Sequence, residues 1–379
     1  MSVRRREWKT RTGEIKQAWI VDYTDQHGKR HIETFQRKKD AGAHEAKVRI
    51  EVGKGVHVAP SESITVAEAA EHWIKRVEAN GRERATVKGY QEHVDLHIVP
   101  RIGRVKLAKL SALSVESFRD QMLADVEEGT LSRHTARAVL RSFKMALKSA
   151  KHAHVGANVG IAPTKRERRL EPGRDFPETG EIKRLLAAAT TERQRALLLT
   201  AALTGLRASE LRGLRWSDVD LKVAELHVRQ RADRYNVIGA PKSKAGTRTT
   251  PLAPELVSAL KTWKLACPIS DADLVFPTNA GQITHHANML RELQALQRAG
   301  GVLERETGEP KYALHAFRHF FASWCINPKE RGGRELAPKV VQHLLGHSSI
   351  VMTLDVYGHL FKDGGDRAEL AAASSALLA

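Results

Sequence analysis

Residues 159–178 carry Pro163, Pro172 and Pro177 around the charged run KRERRLE. Proline lacks a backbone N–H and pushes its predecessor away from helical geometry, so no regular element crosses such a stretch intact. At 379 residues the chain is also too long for one hydrophobic core of ordinary size. Together these facts predict a multidomain protein with a boundary at this stretch. A second, lighter break falls at GKGVHVAPSES. The expected units are therefore 1–56, 62–158 and 178–379. The chain holds no internal repeat.

Within the first unit, AWIVDYT and HIETFQ alternate apolar and polar residues on either side of the turn segment DQHGKR, which is a hairpin pattern. AGAHEAKVRIEV then reads as one short helix. Trp8, Trp19 and Tyr23 are interleaved with many Lys and Arg, which fits either a solvated basic face or a sheet that binds nucleic acid. The second unit reads as about four helices. Thr65 and Glu68 form a capping-box pattern ahead of AEAAEHWIKRVEA. Another helix starts near Ala85 and is expected to stop at Pro100. SALSVESFRDQMLADV and SRHTARAVLRSFKMALKSAKHA complete the set. The third unit is mostly helical, interrupted by a β patch at 223–252. The fold class is thus multidomain and mainly α, with small β-sheets.

Charge bears on the partner. Lys and Arg number 62 against 44 Asp and Glu, giving 62 − 44 = +18. That surplus favours a polyanion, either nucleic acid or an anionic membrane face. No run of about 18 apolar residues is present, so no membrane span is expected. The basic start MSVRRREWKTRTGE has no apolar stretch behind it and does not resemble a secretory signal. Cys267 and Cys325 lie far apart without metal-binding spacing, which suits a reduced, cytoplasmic setting.

Four segments of the third unit carry candidate chemistry: Thr204-Gly205-Leu206-Arg207-Ala208-Ser209-Glu210-Leu211; Pro241-Lys242-Ser243-Lys244-Ala245-Gly246-Thr247-Arg248; Leu314-His315-Ala316-Phe317-Arg318-His319; and Leu344-Leu345-Gly346-His347-Ser348-Ser349, with Tyr357 ten residues after His347. No one segment is specific, but their order and spacing resemble the tyrosine recombinase (phage integrase) family across the whole third unit. The resemblance implies an enzyme that breaks and rejoins DNA through a 3′-phosphotyrosine, independent of metal and ATP and needing no cofactor. Cutting DNA without water requires a side-chain nucleophile that keeps the phosphodiester energy in a covalent bond. The resemblance gives that role to Tyr357, whose phenol, with a pKa of about 10, leaves well when a hydroxyl attacks. Arg207 and Arg318 would clamp the phosphate, since planar guanidinium groups match its oxygens and stay charged. Lys242 or Lys244 would protonate the departing 5′ oxygen, with Lys242 the better match to the family's hairpin pattern. His315 would act as acid, base or phosphate donor, and His347 as a further donor. Glu210 is either the acidic partner that orients these groups or an ordinary surface glutamate.

The pairs His315/His319 and His343/His347 are each spaced i, i+4, as zinc ligands can be. Neither carries the adjacent glutamate of a metalloprotease motif, so no metal site is expected, and His319, His343 and His359 read as helix or packing residues. Trp216 and Val219 read as core or hairpin support.

The resemblance also interprets the rest. Residues 62–158 would be a helical core-binding domain and 178–379 a mixed α/β catalytic domain. Residues 1–56 resemble a three-stranded arm-binding domain of the lambda-integrase-like layout, which favours the integrase of a phage or integrative element. A dimer resolvase, a type IB topoisomerase-like enzyme or a non-catalytic DNA-binding protein are the alternatives. Arg84, Lys88, Arg133, Arg137, Arg141, Lys144 and Lys148 are candidate phosphate contacts, although the last five step along one helix and are not all expected to face DNA. The implied partners are double-stranded attachment-site DNA, a homotetramer on that DNA, a host DNA-bending protein and an excisionase, in the bacterial cytoplasm at the nucleoid. The tail GGDRAELAAASSALLA is expected to dock as a short helix on a neighbouring protomer.

Overall fold

The computed structural model describes all residues except 56, 58, 163–169, 362–370, 372–373 and 378–379. Two compact units make up the chain, Met1–Lys165 and Arg166–Ala379.

The first unit holds two cores. Strands β1 (Ser2–Lys9), β2 (Ile15–Thr24) and β3 (Arg30–Phe35) form an antiparallel sheet in that order, in which Arg4 pairs with Ile20 and Tyr23 with His31. Alternation puts Val21 and Tyr23 on one face, where they pack with Ala41 and Val48 of helix α1 (Lys38–Gly53). The opposite face carries Arg4, Arg6, Trp8, Lys16 and Arg30, all exposed. The hairpin and the helix expected from the sequence are both present.

The second core joins α2 (Val66–Ala79), α3 (Arg84–His93), α4 (Val99–Ile102), α5 (Ala112–Glu127) and α6 (Arg133–Ser149). Thr65 and Glu68 form the expected capping box. Phe118 and Phe143 meet edge to face at 5.0 Å. Pro100 does not stop the chain's third helix as expected. Instead α3 widens into a π-helical stretch, Val94–Ile98, and α4 follows with Pro100 in its first turn. There a missing N–H leaves no intrahelical bond unmade, so the proline is accommodated.

Helix α6 shows how its five basic residues are arranged. At about 100° per residue, positions 133, 137, 141, 144 and 148 all fall within an arc of about 80°. The five basic residues therefore share one face, and none is buried. Ala136, Val139, Leu140, Phe143, Ala146 and Leu147 form the buried side.

The proline-rich stretch is shorter as a connector than its composition suggests. Val159 and Ile161 are buried in the helical core of the first unit, and Phe176 in the main core of the second. Pro163 and most of KRERRLE lie outside the described residues.

The second unit begins with α7 (Thr179–Ala188), α8 (Glu192–Thr204) and α9 (Ala208–Arg212). A sheet of β4 (Val219–Asp220), β5 (Glu225–Val228) and β8 (Arg248–Pro251) follows, with the small hairpin β6 (Arg231–Ala232) and β7 (Ile238–Gly239) between its strands. Helices α10 (Pro254–Ala266), α11 (His286–Ala299), α12 (Leu314–Ile326), α13 (Pro338–Leu345) and α14 (Ile350–Tyr357) complete it. Val219 is buried in the main core, and Trp216 packs against it beneath the Lys264 ammonium. A smaller core gathers Phe321, Ala322, Cys325, Val341, Leu344, Leu345 and Tyr357. Of the tail, Ala371 and 374–377 are helical, and the remainder of 366–379 that would carry the docking helix lies partly outside the described residues. No helix among the described residues is long and apolar enough to cross a membrane.

Candidate active site

Two helix ends organise the site. Helices α8 and α13 each finish on a glycine in the left-handed conformation, Gly205 at φ +63° and Gly346 at φ +61°. A side chain at either position would meet more than backbone strain. A Cβ on Gly205 would come within 2.4 Å of Phe321, and one on Gly346 within 2.8 Å of the Ala245 carbonyl. Helix C-termini leave carbonyl oxygens without intrahelical donors and carry partial negative charge. Three arginines answer them. Arg318 donates to the carbonyls of Gly205, at 2.6 Å, and Leu345. Arg248 donates from Nε to Leu344 O at 2.7 Å, and Arg207 from Nη2 to Gly346 O at 3.1 Å.

Glu210 is the carboxylate among them. Its Oε1 accepts from Arg207 Nη1 at 2.7 Å, and its Oε2 from Arg248 Nη2 at 2.9 Å and from the Arg207 backbone N–H at 2.9 Å. Burial alone pushes its carboxyl pKa up, but Arg248 and then Arg207 outweigh that and hold it below the usual range. Of the two sequence readings of Glu210, the buried orienting partner is the one observed. Arg248, to which no role was given, is fully buried on β8 and ties that strand to both Glu210 and α13.

Arg318 is 2% exposed, and among the described residues its hydrogen-bond partners are backbone carbonyls. Burial, and then the charges of Arg207 and Arg248, bring its pKa down to about 9. The cluster thus concentrates three guanidinium groups around one carboxylate, a surplus of positive charge suited to an anion with several oxygens.

His347 follows Gly346 directly and is buried, with Nδ1 2.9 Å from Thr353 Oγ1. Burial, then Arg318, Arg207 and Arg248, bring its pKa down to about 4, so the imidazole is neutral at ordinary pH. Its second nitrogen is then able to donate while Nδ1 bonds the threonine. His315 is exposed at the start of α12, one turn before His319, and their rings meet edge to face at 4.7 Å. Surrounding protein, then Arg318 and Arg207, lower its pKa also.

Tyr357 ends α14 and is 2% exposed. Its hydroxyl shares a 2.6 Å hydrogen bond with Nδ1 of His319. His319, expected to be a helix or packing residue, lies on α12 and makes this bond besides. The i, i+4 relation to His315 was visible in the sequence as zinc-like spacing, from which no metal site was expected, and it carried no sign of the tyrosine. Among the described residues, the groups whose donor atoms approach as metal ligands do are Asp25, His31 and Glu62, in the first unit. His343 is exposed, and His359 bonds the Leu170 carbonyl at 3.1 Å.

Lys242 and Lys244 are both exposed on the loop between β7 and β8. The loop is fixed to the cluster at its far end, where Arg248 Nη1 reaches Gly246 O at 3.0 Å and Ala245 lies against Gly346. The structure therefore gathers Arg207, Arg318, His315 and His347, adds Glu210 and Arg248, and joins Tyr357 to them through α12. The lysine is carried on the adjoining loop.

The chain as a whole is similar to known proteins. Residues 177–363 match the model of the family described as the phage integrase family. Tyrosine recombinase XerC of Pseudomonas fluorescens is 31% identical over 261 residues, which cover 66% of this chain and 77% of that protein. An integrase of Streptomyces ambofaciens is 28% identical over 369 residues, covering 91% of this chain and 90% of that one. The fold is similar to that of a lambda integrase dimer bound to a COC′ core site, with a TM-score of 0.57 at 18% identity over 95% of each chain.

Proposed function

Since the chain belongs to the phage integrase family of tyrosine recombinases, enzymes that cut and rejoin DNA, we propose that it is the integrase of a phage or integrative element, working through a phosphotyrosine at Tyr357. The observation that carries the chemistry is the seating of Arg207, Arg248 and Arg318 on the carbonyl ends of α8 and α13. A scissile phosphate placed there receives Arg207 and Arg318 on its non-bridging oxygens, and His347 donates to the same group. Because the guanidinium groups are fixed before the substrate arrives, they stabilise developing charge without reorganising. His315 stands at the exposed edge of the cluster as a further donor. Lys242 protonates the 5′ oxygen as it leaves. The chemistry calls for no metal and no cofactor.

The remaining units fit double-stranded DNA as partner. The shared basic face of α6, with Arg84 and Lys88 on α3, suits phosphate contacts that set register without reading sequence. The open face of the N-terminal sheet carries Arg4, Arg6, Lys16 and Arg30 beside Trp8, and a ribbon of this width fits a major groove. This reading assigns 1–56 to arm-type sites, 62–158 to core-site binding and 178–379 to catalysis. It also assigns assembly as a tetramer with the tail exchanged between protomers, assistance from a host DNA-bending protein and an excisionase, and a place at the bacterial nucleoid.

The test is a denaturing gel for a covalent protein–DNA adduct on nicked duplexes from either side of the chain's own gene. Chelator is present throughout, and Tyr357→Phe runs alongside. An adduct lost in the phenylalanine variant is expected, and an adduct that persists in it refutes the assignment of the nucleophile. A second reading, a dimer resolvase, draws on the XerC similarity. Strand exchange between two dissimilar sites is expected of an integrase and not of a resolvase.

A further inference from the structure

We infer that His319 is the base that takes the phenolic proton of Tyr357 as strand cleavage begins. The inference rests on the phosphotyrosine reading above and deepens it, because that reading names a nucleophile and an acid for the leaving group but leaves the base unassigned, with His315 open between acid, base and phosphate donor.

The geometry starts from the small core of the second unit. The ring of Tyr357 is packed with Phe321, Ala322 and Cys325 of α12 and with Leu344 and Leu345 of α13. Its position is thus set by side chains of α12 itself, and the phenolic oxygen is delivered to the same helix one turn earlier. There Nδ1 of His319 lies 2.6 Å from it, with the rings 5.7 Å apart and inclined at 58°. That is within the reach a general base needs of the proton it takes. His315 lies one turn further from Tyr357 on α12, exposed, and meets the His319 ring with its own at 4.7 Å. The two histidines therefore divide the work, with His315 toward the phosphate and His319 at the nucleophile.

A phenol attacks phosphorus well only as it loses its proton. A free phenol is a weaker acid than imidazolium by about 3.5 pKa units, so the transfer has to be drawn by bond formation to phosphorus. As the Tyr357 oxygen bonds to phosphorus, its O–H acidity rises and the proton passes to Nδ1 of His319, a step that requires the ring to hold its own proton on the other nitrogen. The P–O5′ bond breaks in the same displacement, and the 5′ oxygen leaves as a hydroxyl with a proton from Lys242. On rejoining, the attacking 5′ hydroxyl returns its proton to Lys242, and His319 returns its own to the tyrosine oxygen. Two protons move each way and no other reactant is needed.

The experiment compares single-turnover adduct formation by the full chain, His319→Gln and His319→Gly on the nicked duplexes described above. Glutamine can accept the phenol's hydrogen bond but is not basic, so it separates holding the tyrosine from deprotonating it. Both variants are expected to bind the duplex as the unaltered chain does, yet to slow cleavage by about 10²- to 10⁴-fold, the usual contribution of a general base. Added imidazole is expected to restore much of the rate in His319→Gly. A glutamine variant that cleaves at the unaltered rate, or a glycine variant that imidazole leaves unmoved, overturns the inference. Thermal melts and duplex affinity identify a misfolded variant, and in that event the imidazole response of the other variant decides. An unaltered chain that forms no adduct on any of these duplexes refutes the phosphotyrosine reading, and this inference with it.

Discussion

Arg248 donates from Nη2 to the Glu210 carboxylate at 2.9 Å, and neither side chain is more than 3% exposed. The bond spans 38 positions and connects a strand to a short helix. Glu210 is also the group that holds Arg207, so one carboxylate fixes the spacing of two guanidinium groups.

Removing that carboxylate leaves Arg248 buried without its counter-charge, close to Arg318 and Arg207. Glu210→Ala is expected to lower stability by about 3–5 kcal/mol, as breaking a buried ion pair from one side does. Urea unfolding measures this, and a loss no larger than that of an exposed glutamate refutes the ordering role.

This ion pair also marks where sequence reading ended. The N-terminal hairpin was legible because alternation with a turn between has few other solutions. The capping box at Thr65 and Glu68 was equally plain. Arg207, His315, Arg318, His347 and Tyr357 were found by order and spacing. Arg248 sat in view in the same hairpin segment, but nothing local distinguishes a strand arginine that faces water from one that faces a buried acid. The bond from His319 to Tyr357 was not legible because its partners are 38 residues apart on different helices. Pro100 was misread because a π-helical stretch, which depends on packing, absorbed the irregularity. Each miss concerns a contact between distant elements, which short-range pattern does not encode.

Arg318→Lys keeps the charge but not the planar fork that meets Gly205 O and Leu345 O together. Cleavage in a single turnover is expected to fall by about 10²- to 10³-fold, as for loss of a preorganised oxyanion donor. Duplex affinity, read by gel shift, is expected to change little, since many other basic residues remain. A variant that cleaves normally refutes the clamp.

The histidine beside Gly346 gives a pH signature. The folded-state pKa of His347 is about 4, below its ordinary 6.5, so folding favours the neutral ring. Its contribution to stability is complete above pH 6.5 and is lost as pH falls through about 4. The loss is on the order of 3 kcal/mol at the low end. The stability gap between the unaltered chain and His347→Gln is expected to narrow by that amount across the window. Chemical unfolding at stepped pH follows it, and a gap that stays constant counts against a buried neutral ring.

On α6, the shared basic face makes a prediction about salt. Alanine at Arg141 or Lys148, both exposed, is expected to weaken duplex binding for all sequences alike. Each is expected to reduce the slope of log affinity against log salt by about 0.9. Binding isotherms at several salt concentrations measure the slope, and an unchanged slope removes that residue from the interface.

The burial of Tyr357 bears on timing. On the proposed chemistry, reaching a phosphate draws the Tyr357 oxygen out from beside Phe321, Cys325 and Leu344, with part of the ring. Uncovering a large apolar side chain costs about 1.5–3 kcal/mol. At about tenfold per 1.4 kcal/mol, the attacking form is then present in only about one molecule in ten to one in a hundred until DNA contacts favour it. Stray nicks on passing duplexes scale with that small fraction. A correct site, by drawing the last turn of α14 outward, raises the rate without altering the reacting groups at all. Fidelity in such a molecule is then partly a matter of how rarely its blade is unsheathed, quite apart from which bases it reads.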